Sequence, residues 1–117
     1  FINLKLVRRW LDTCITRHDT CKLPALLHLK ERLYLIDVKY ECIVQLFTPD
    51  IEYTALSYVW GNSDVTKATS SNIRDLMKPQ ALSKSSNIII PSTIRDAMYL
   101  TKSLGKQYIW VDSLCIL

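Results

Sequence analysis

Residues 53–61, Tyr-Thr-Ala-Leu-Ser-Tyr-Val-Trp-Gly, carry no charge, are rich in aromatic and branched side chains, and stop at a glycine before the polar run Asn62-Ser63-Asp64. Such a stretch reads as a buried strand opening into a loop. Downstream, Pro91 to Leu104 has helical spacing and Gln107 to Val111 has strand spacing, so the three segments predict a β-α-β unit. In units of this kind ligands gather where the carboxyl ends of parallel strands open, which here means Trp60-Gly61 and Asp112.

At 117 residues the chain has the length of one domain. It starts with Phe1 and stops at Leu117 just after an apolar run, and it is expected to be a piece of a longer protein. With 49% hydrophobic residues and only two glycines, it has the apolar surface for a core. The 15 basic and 11 acidic residues are scattered, with Arg8-Arg9 the one adjacent basic pair, so no nucleic-acid footprint is expected. No apolar run approaches the roughly 20 residues that cross a bilayer. The amino end has charges within its apolar pattern and no small-residue cleavage site, unlike a signal peptide. Cys14, Cys21, Cys42 and Cys115 are therefore read as reduced thiols in the cytoplasm.

Along the chain, Leu4, Val7, Leu11 and Cys14 recur every three or four positions, with Trp10 beside them, and predict an amphipathic helix from Asn3 to about Arg17 that His18-Asp19-Thr20 and Pro24 end. Residues 1–30 form a lead-in helix and linker, with Leu23 to Lys30 an irregular turn or short helix, and 31–117 form an α/β core. Arg32–Asp37 and Glu41–Leu46 read as an antiparallel hairpin, the second strand turning Cys42, Val44 and Leu46 to the core. Thr48-Pro49-Asp50 then leads into residues 53–60 as the central strand. Asn62 to Asn87 is expected to be the softest region, with a short helix near Asn72–Lys78 ended by Pro79. The helix after Pro91 has the strongest signals: Thr93 and Asp96 in the form of a capping box, an inward stripe of Ile94, Ala97, Met98, Thr101 and Leu104, and Gly105 to close it.

Each candidate site has a structural alternative. Asp112 either touches a ligand or caps the next turn. Trp60 and Gly61 either line a pocket, the glycine permitting close backbone approach, or terminate the strand. Ser57 and Tyr58 lie within the predicted strand as polar groups bonded to nearby backbone, although Ser57 belongs to the candidate functional edge. Cys14, His18 and Cys21, with His28 or Cys42 as a fourth, form a conceivable zinc set, but their spacing matches no common finger and packing explains it equally well. A cysteine protease built on Cys115 lacks a histidine placed beside it.

The motifs together resemble the fungal heterokaryon incompatibility (HET) domain over nearly the whole chain. The resemblance rests on Trp10, Cys14, His18 and Cys21, on 32–38, on Tyr53-Thr-Ala-Leu56-Ser-Tyr58-Val-Trp-Gly61, and on Ile94-Arg-Asp96-Ala97 followed by Leu104-Gly105-Lys-Gln-Tyr-Ile-Trp110-Val-Asp112-Ser-Leu-Cys115-Ile116. It implies a module of fungal non-self recognition whose activation leads to growth arrest and cell death through self-association or a protein partner. It further implies a distant likeness to Toll/interleukin-receptor (TIR) domains, some of which cleave NAD, with 53–60, 93–104 and 107–112 as the first strand, first helix and second strand. Family members usually continue after Cys-Ile with Asn-Gln and further elements, and the catalytic glutamate of NAD-cleaving TIR domains would lie there. No cofactor is therefore expected for this stretch, and NAD only for a complete domain. An enzyme of that kind and a zinc-stabilised structural module are the rival classes. A sheet ending at a second parallel strand is expected to leave an open edge that favours aggregation or dimerisation.

Overall fold

Four strands form one sheet in the order β2-β1-β4-β3 in a computed structural model that describes residues 2–21, 32–47, 51–61 and 64–117. The elements are α1 (Leu4–Arg17), β1 (Leu33–Asp37), β2 (Cys42–Leu46), β3 (Thr54–Leu56), α2 (Ile73–Leu76), α3 (Ser92–Ser103), β4 (Tyr108–Val111) and α4 (Asp112–Cys115). β1 pairs antiparallel with both β2 and β4, and β3 pairs parallel with β4. The chain thus forms a mixed α/β fold with a partly parallel sheet, and the predicted β-α-β unit is β3-α3-β4.

The hairpin forms because Asp37 both ends β1 and starts its turn. Its buried carboxylate accepts from the backbone N–H of Lys39 at 2.9 Å and of Tyr40 at 3.2 Å, as an aspartate at a turn start does. The same carboxylate accepts from the Gln107 side chain at 3.0 Å, and the Val38 N–H donates to the Gln107 carbonyl at 2.9 Å, so the turn is fastened to the entry of β4.

The predicted inward side of β2 needs correction. Cys42 is buried, but Val44 and Leu46 are only half-buried, whereas Ile43 on the opposite face is completely buried and joins the main core. The register explains this: Ile43 lies opposite Ile36, which lies opposite Ile109, making a continuous apolar row across three strands. That face packs on Ile94 and Met98 of α3, Ile73 and Leu76 of α2, and Leu114 of α4.

Residues 53–60 are not a central strand. Only Thr54–Leu56 are extended and paired, and they lie at the sheet edge. Leu56 pairs with Val111, and immediately beyond Val111 the chain turns into α4, so Ser57 to Trp60 have no strand to pair with. Accordingly Val59 is 94% exposed and Ser57 is exposed.

The polar stretch 64–87 supplies more of the core than its composition predicts. Ala68, Ile73, Leu76 and Leu82 are buried, and the N–H groups of Gln80 and Leu82 donate to the carbonyls of Tyr40 and Glu41, both at 2.8 Å. These bonds anchor the stretch to the hairpin turn.

α3 runs close to the predicted bounds, with Ile94, Met98 and Thr101 buried. Its start differs: Pro91 occupies the N-cap, so Thr93 and Asp96 lie too deep in the helix for a capping box, and Asp96 makes no cap bond. Its end is as predicted. Gly105 has φ +78°, its N–H reaches the Lys102 carbonyl at 3.0 Å, and the Lys106 N–H reaches the Thr101 carbonyl at 3.0 Å, the paired bonds of a Schellman motif.

α1 begins at Asn3, whose side chain accepts from the Leu6 N–H at 3.2 Å. No residue of this helix is fully buried, and Trp10 is exposed. Its half-buried residues, Leu4, Val7, Leu11 and Cys14 among them, keep the predicted helical spacing. Arg8 donates to the Ser103 carbonyl at the end of α3. The predicted turn or short helix at Leu23–Lys30 falls outside the described residues.

Two backbone positions give stability tests of opposite sign. Replacing Gly105 with Ala forces a Cβ into a left-handed conformation and is expected to cost about 1 kcal/mol in chemical denaturation. Glu41 holds φ 49° without being a glycine, and Glu41→Asn is expected to gain about 0.5 kcal/mol, because asparagine tolerates this region better.

Candidate functional site

The carboxyl ends of β3 and β4 are joined by side chains from the first two residues of α4. The indole N–H of Trp60 donates to both carboxylate oxygens of Asp112, at 3.0 and 3.2 Å. The same carboxylate accepts from the Ser113 N–H at 2.7 Å, within the first turn of the short helix. Ser113, which is buried, pairs its hydroxyl with that of Tyr58 at 3.1 Å, and its carbonyl accepts from the Ala68 N–H at 2.8 Å. Asp112 and Ser113 thus fasten three loop positions, Tyr58, Trp60 and Ala68, to the end of β4.

Lys67 lies over the Trp60 ring, its ammonium 4.5 Å from the ring centre, a cation–π arrangement. Trp60 is therefore held at its edge by a carboxylate and on its face by a cation. Tyr58, Trp60, Gly61, Lys67, Ser92 and Thr93 are among the residues lining a cavity of about 330 Å³. One wall is the first turn of α3, where backbone N–H groups give the helix end a partial positive charge.

Of the residues singled out in the sequence, Trp60 and Gly61 line this cavity, and Asp112 holds Trp60 while also bracing the turn that follows. The two sequence readings of Asp112 each gave it one role, and the geometry gives its carboxylate two structural tasks at once. Ser57 is exposed and does not line the cavity. Tyr58 lies past the strand, and its hydroxyl bonds a side chain rather than backbone. Among the other motif residues, Tyr53 is exposed, Leu56 and Trp110 are half-buried against the core, Asp96 is exposed on α3, Gly105 ends that helix, and Cys115 is buried. Sequence reasoning misses Lys67, Ser92 and Ser113. Lys67 sits in a Ser/Lys-rich run where nothing marks one lysine from another.

Burial pushes the Cys115 thiol up to about 11, with the nearby Asp112 charge adding to the effect against two backbone hydrogen bonds that oppose it. A thiol in that state is a poor nucleophile at neutral pH. Burial also raises the Cys42 thiol, with Asp37 contributing. His18, the conceivable zinc ligand after Cys14, is exposed at the carboxyl end of α1, while His28 and the side chain of Cys21 fall outside the described residues. Among the described residues no group of three or more His, Cys, Asp or Glu could hold a metal ion, and no helix is long and apolar enough to cross a membrane.

Residues 53–117 match the family model described as heterokaryon incompatibility protein (HET), a span that runs from the start of β3 through the cavity and α3 to α4. No curated protein and no solved structure matches the chain.

The clamp has an energetic signature. In a double-mutant cycle of Trp60→Phe and Asp112→Ala, read by chemical denaturation, the two losses are expected to depart from additivity by about 1 kcal/mol, the scale of a hydrogen bond to a charged acceptor near solvent. Strictly additive losses would mean that the indole–carboxylate bond is absent in solution.

Proposed function

This chain belongs to the heterokaryon incompatibility (HET) family, and from that premise we propose that it is a fungal non-self recognition module that promotes growth arrest and cell death by protein association in the cytoplasm. The observation that carries the reading is the coincidence of the family match with the clamp. The matched span contains Tyr58, Trp60, Lys67, Asp112 and Ser113, so the stretch that defines the family also builds this fastened edge of the sheet. A module that signals by association needs a sheet that keeps one shape beneath the elements it presents, and side-chain fastening at Asp112 and Ser113 stiffens the end of the sheet on which α3 packs.

The test is induced expression of the full-length protein in a filamentous fungus. The wild type is expected to arrest growth, and Asp112→Ala is expected to restore growth while the protein still accumulates. A wild type that leaves growth unchanged defeats the reading, and an Asp112→Ala variant that still arrests growth removes the clamp from it.

The cavity favours a second reading, a TIR-like domain that binds and cleaves NAD when complete. Its volume is near the lower end of small-molecule sites, and an aromatic ring, a lysine and a helix amino terminus suit a phosphate or nucleoside portion better than a whole dinucleotide. NAD, when bound, would supply the glycosidic bond to be cleaved; Trp60 and Lys67 would orient one end of it. The carboxylate beside the cavity, Asp112, already accepts from two donors, the Trp60 indole N–H shared between its oxygens and the Ser113 N–H, and is poorly placed to serve as an acid or base. Residues 1–117 are accordingly expected to consume no NAD above a buffer blank, and measurable release of nicotinamide would reverse that expectation.

A further inference from the structure

The outward face of α3 has an order that the core does not explain. Asp96, Tyr99 and Lys102 are exposed at spacings of three residues, so they share one stripe, and Tyr99 is 73% exposed at its midpoint. Neither the Asp96 nor the Lys102 side chain has a hydrogen bond or ion pair among the described residues, and Asp96 is released from helix capping because Pro91 takes the N-cap. Arg95, beside the stripe, is engaged elsewhere: its guanidinium donates to the carbonyls of Leu82 at 2.9 Å and Ser83 at 3.5 Å, which fixes α3 against the preceding loop.

We propose that this face is where two copies of the chain meet, with their α3 helices antiparallel about a two-fold axis at Tyr99, each Asp96 against the partner's Lys102. The proposal rests on the association reading above and names its surface. The pattern is self-complementary in one orientation only. Antiparallel pairing brings ring to ring at the axis and opposite charges together on both sides of it. Parallel pairing sets Asp96 against Asp96 and Lys102 against Lys102. Antiparallel helices also set each positive end beside the other's negative end. The stripe forms one wall of an open groove of about 640 Å³ whose other wall includes Glu41, Gln80 and Lys84, which leaves room for the partner's ring. An exposed aromatic flanked by charges is the composition of a contact centre and its rim.

The experiment is sedimentation velocity on the full-length protein with Asp96→Lys, Lys102→Glu and an equimolar mixture of the two variants. Each reversal alters two contacts by symmetry and is expected to weaken self-association by about tenfold or more. The mixture is expected to recover it, because the lysine introduced in one variant then faces the glutamate introduced in the other, and the second pair across the axis is native. Recovery also shows that both variants are folded. A wild-type dimer that neither reversal weakens, or a mixture no better than its components, overturns this interface while leaving association itself intact. A wild type that stays monomeric at its highest soluble concentration overturns both the interface and self-association.

Discussion

β4 is the strand on which the sheet depends. Ile109 lies opposite Ile36 on one side and Thr54 on the other, so the antiparallel hairpin and the parallel crossover meet on a single residue. Without β4 the hairpin would be an isolated pair, marginal in water, and β3 would have no partner at all. Its four residues alternate well: Ile109 and Val111 are buried in the core with α3, while Tyr108 and Trp110 are half-buried. Polar bonds guard its two ends. Asp37 and Gln107 fix the entry, and Asp112 and Ser113 fix the exit.

Those two ends explain why the candidate site lies where it does. A strand that turns at once into a helix leaves its neighbour unpaired, and the neighbour's backbone must then be ordered by something other than a ladder. Here side chains do it: Tyr58 and Trp60 reach to Ser113 and Asp112, and Lys67 covers the indole. The cavity is the space left between that side-chain scaffold and the first turn of α3. Thr54 adds a further link, its hydroxyl 3.0 Å from that of the buried Thr101, so β3 is tied to the helix as well as to β4.

Local signals in the sequence carried the hairpin, α3 and its glycine stop, because each is set by neighbouring residues: Asp37 at a turn, a 3.6-residue stripe, Gly105 in a left-handed position. They failed where long-range pairing decides. Residues 57–60 have strand composition, but strand formation needs a partner and β4 ends before reaching them. The stretch 64–87 reads as polar insertion around one short helix, and that helix is α2, with Ile73 and Leu76 buried as their spacing predicts; Ala68 and Leu82 stand apart from it among turns with no period to mark them, yet they too are core. Trp60, Gly61 and Asp112 were legible as an edge through the crossover rule. The partners that complete that edge, Lys67, Ser92 and Ser113, come from segments whose proximity only the fold creates.

The brevity of β3 bears on how such a chain would meet its own copies. An edge of three residues, followed by a segment held by side chains rather than by a ladder, offers few backbone groups in line for another strand. β2, the other edge, is met near its start by the N–H groups of Gln80 and Leu82, which bond the carbonyls of Tyr40 and Glu41. Strand addition is therefore poorly served at the β3 side of the sheet. A helix face carries no unpaired backbone donors, so contact through α3 depends on side chains alone and can be specific without templating further strands. Its inner face is fixed by Ile94, Met98 and Thr101, and that rigidity is what would hold Asp96, Tyr99 and Lys102 in register for a partner.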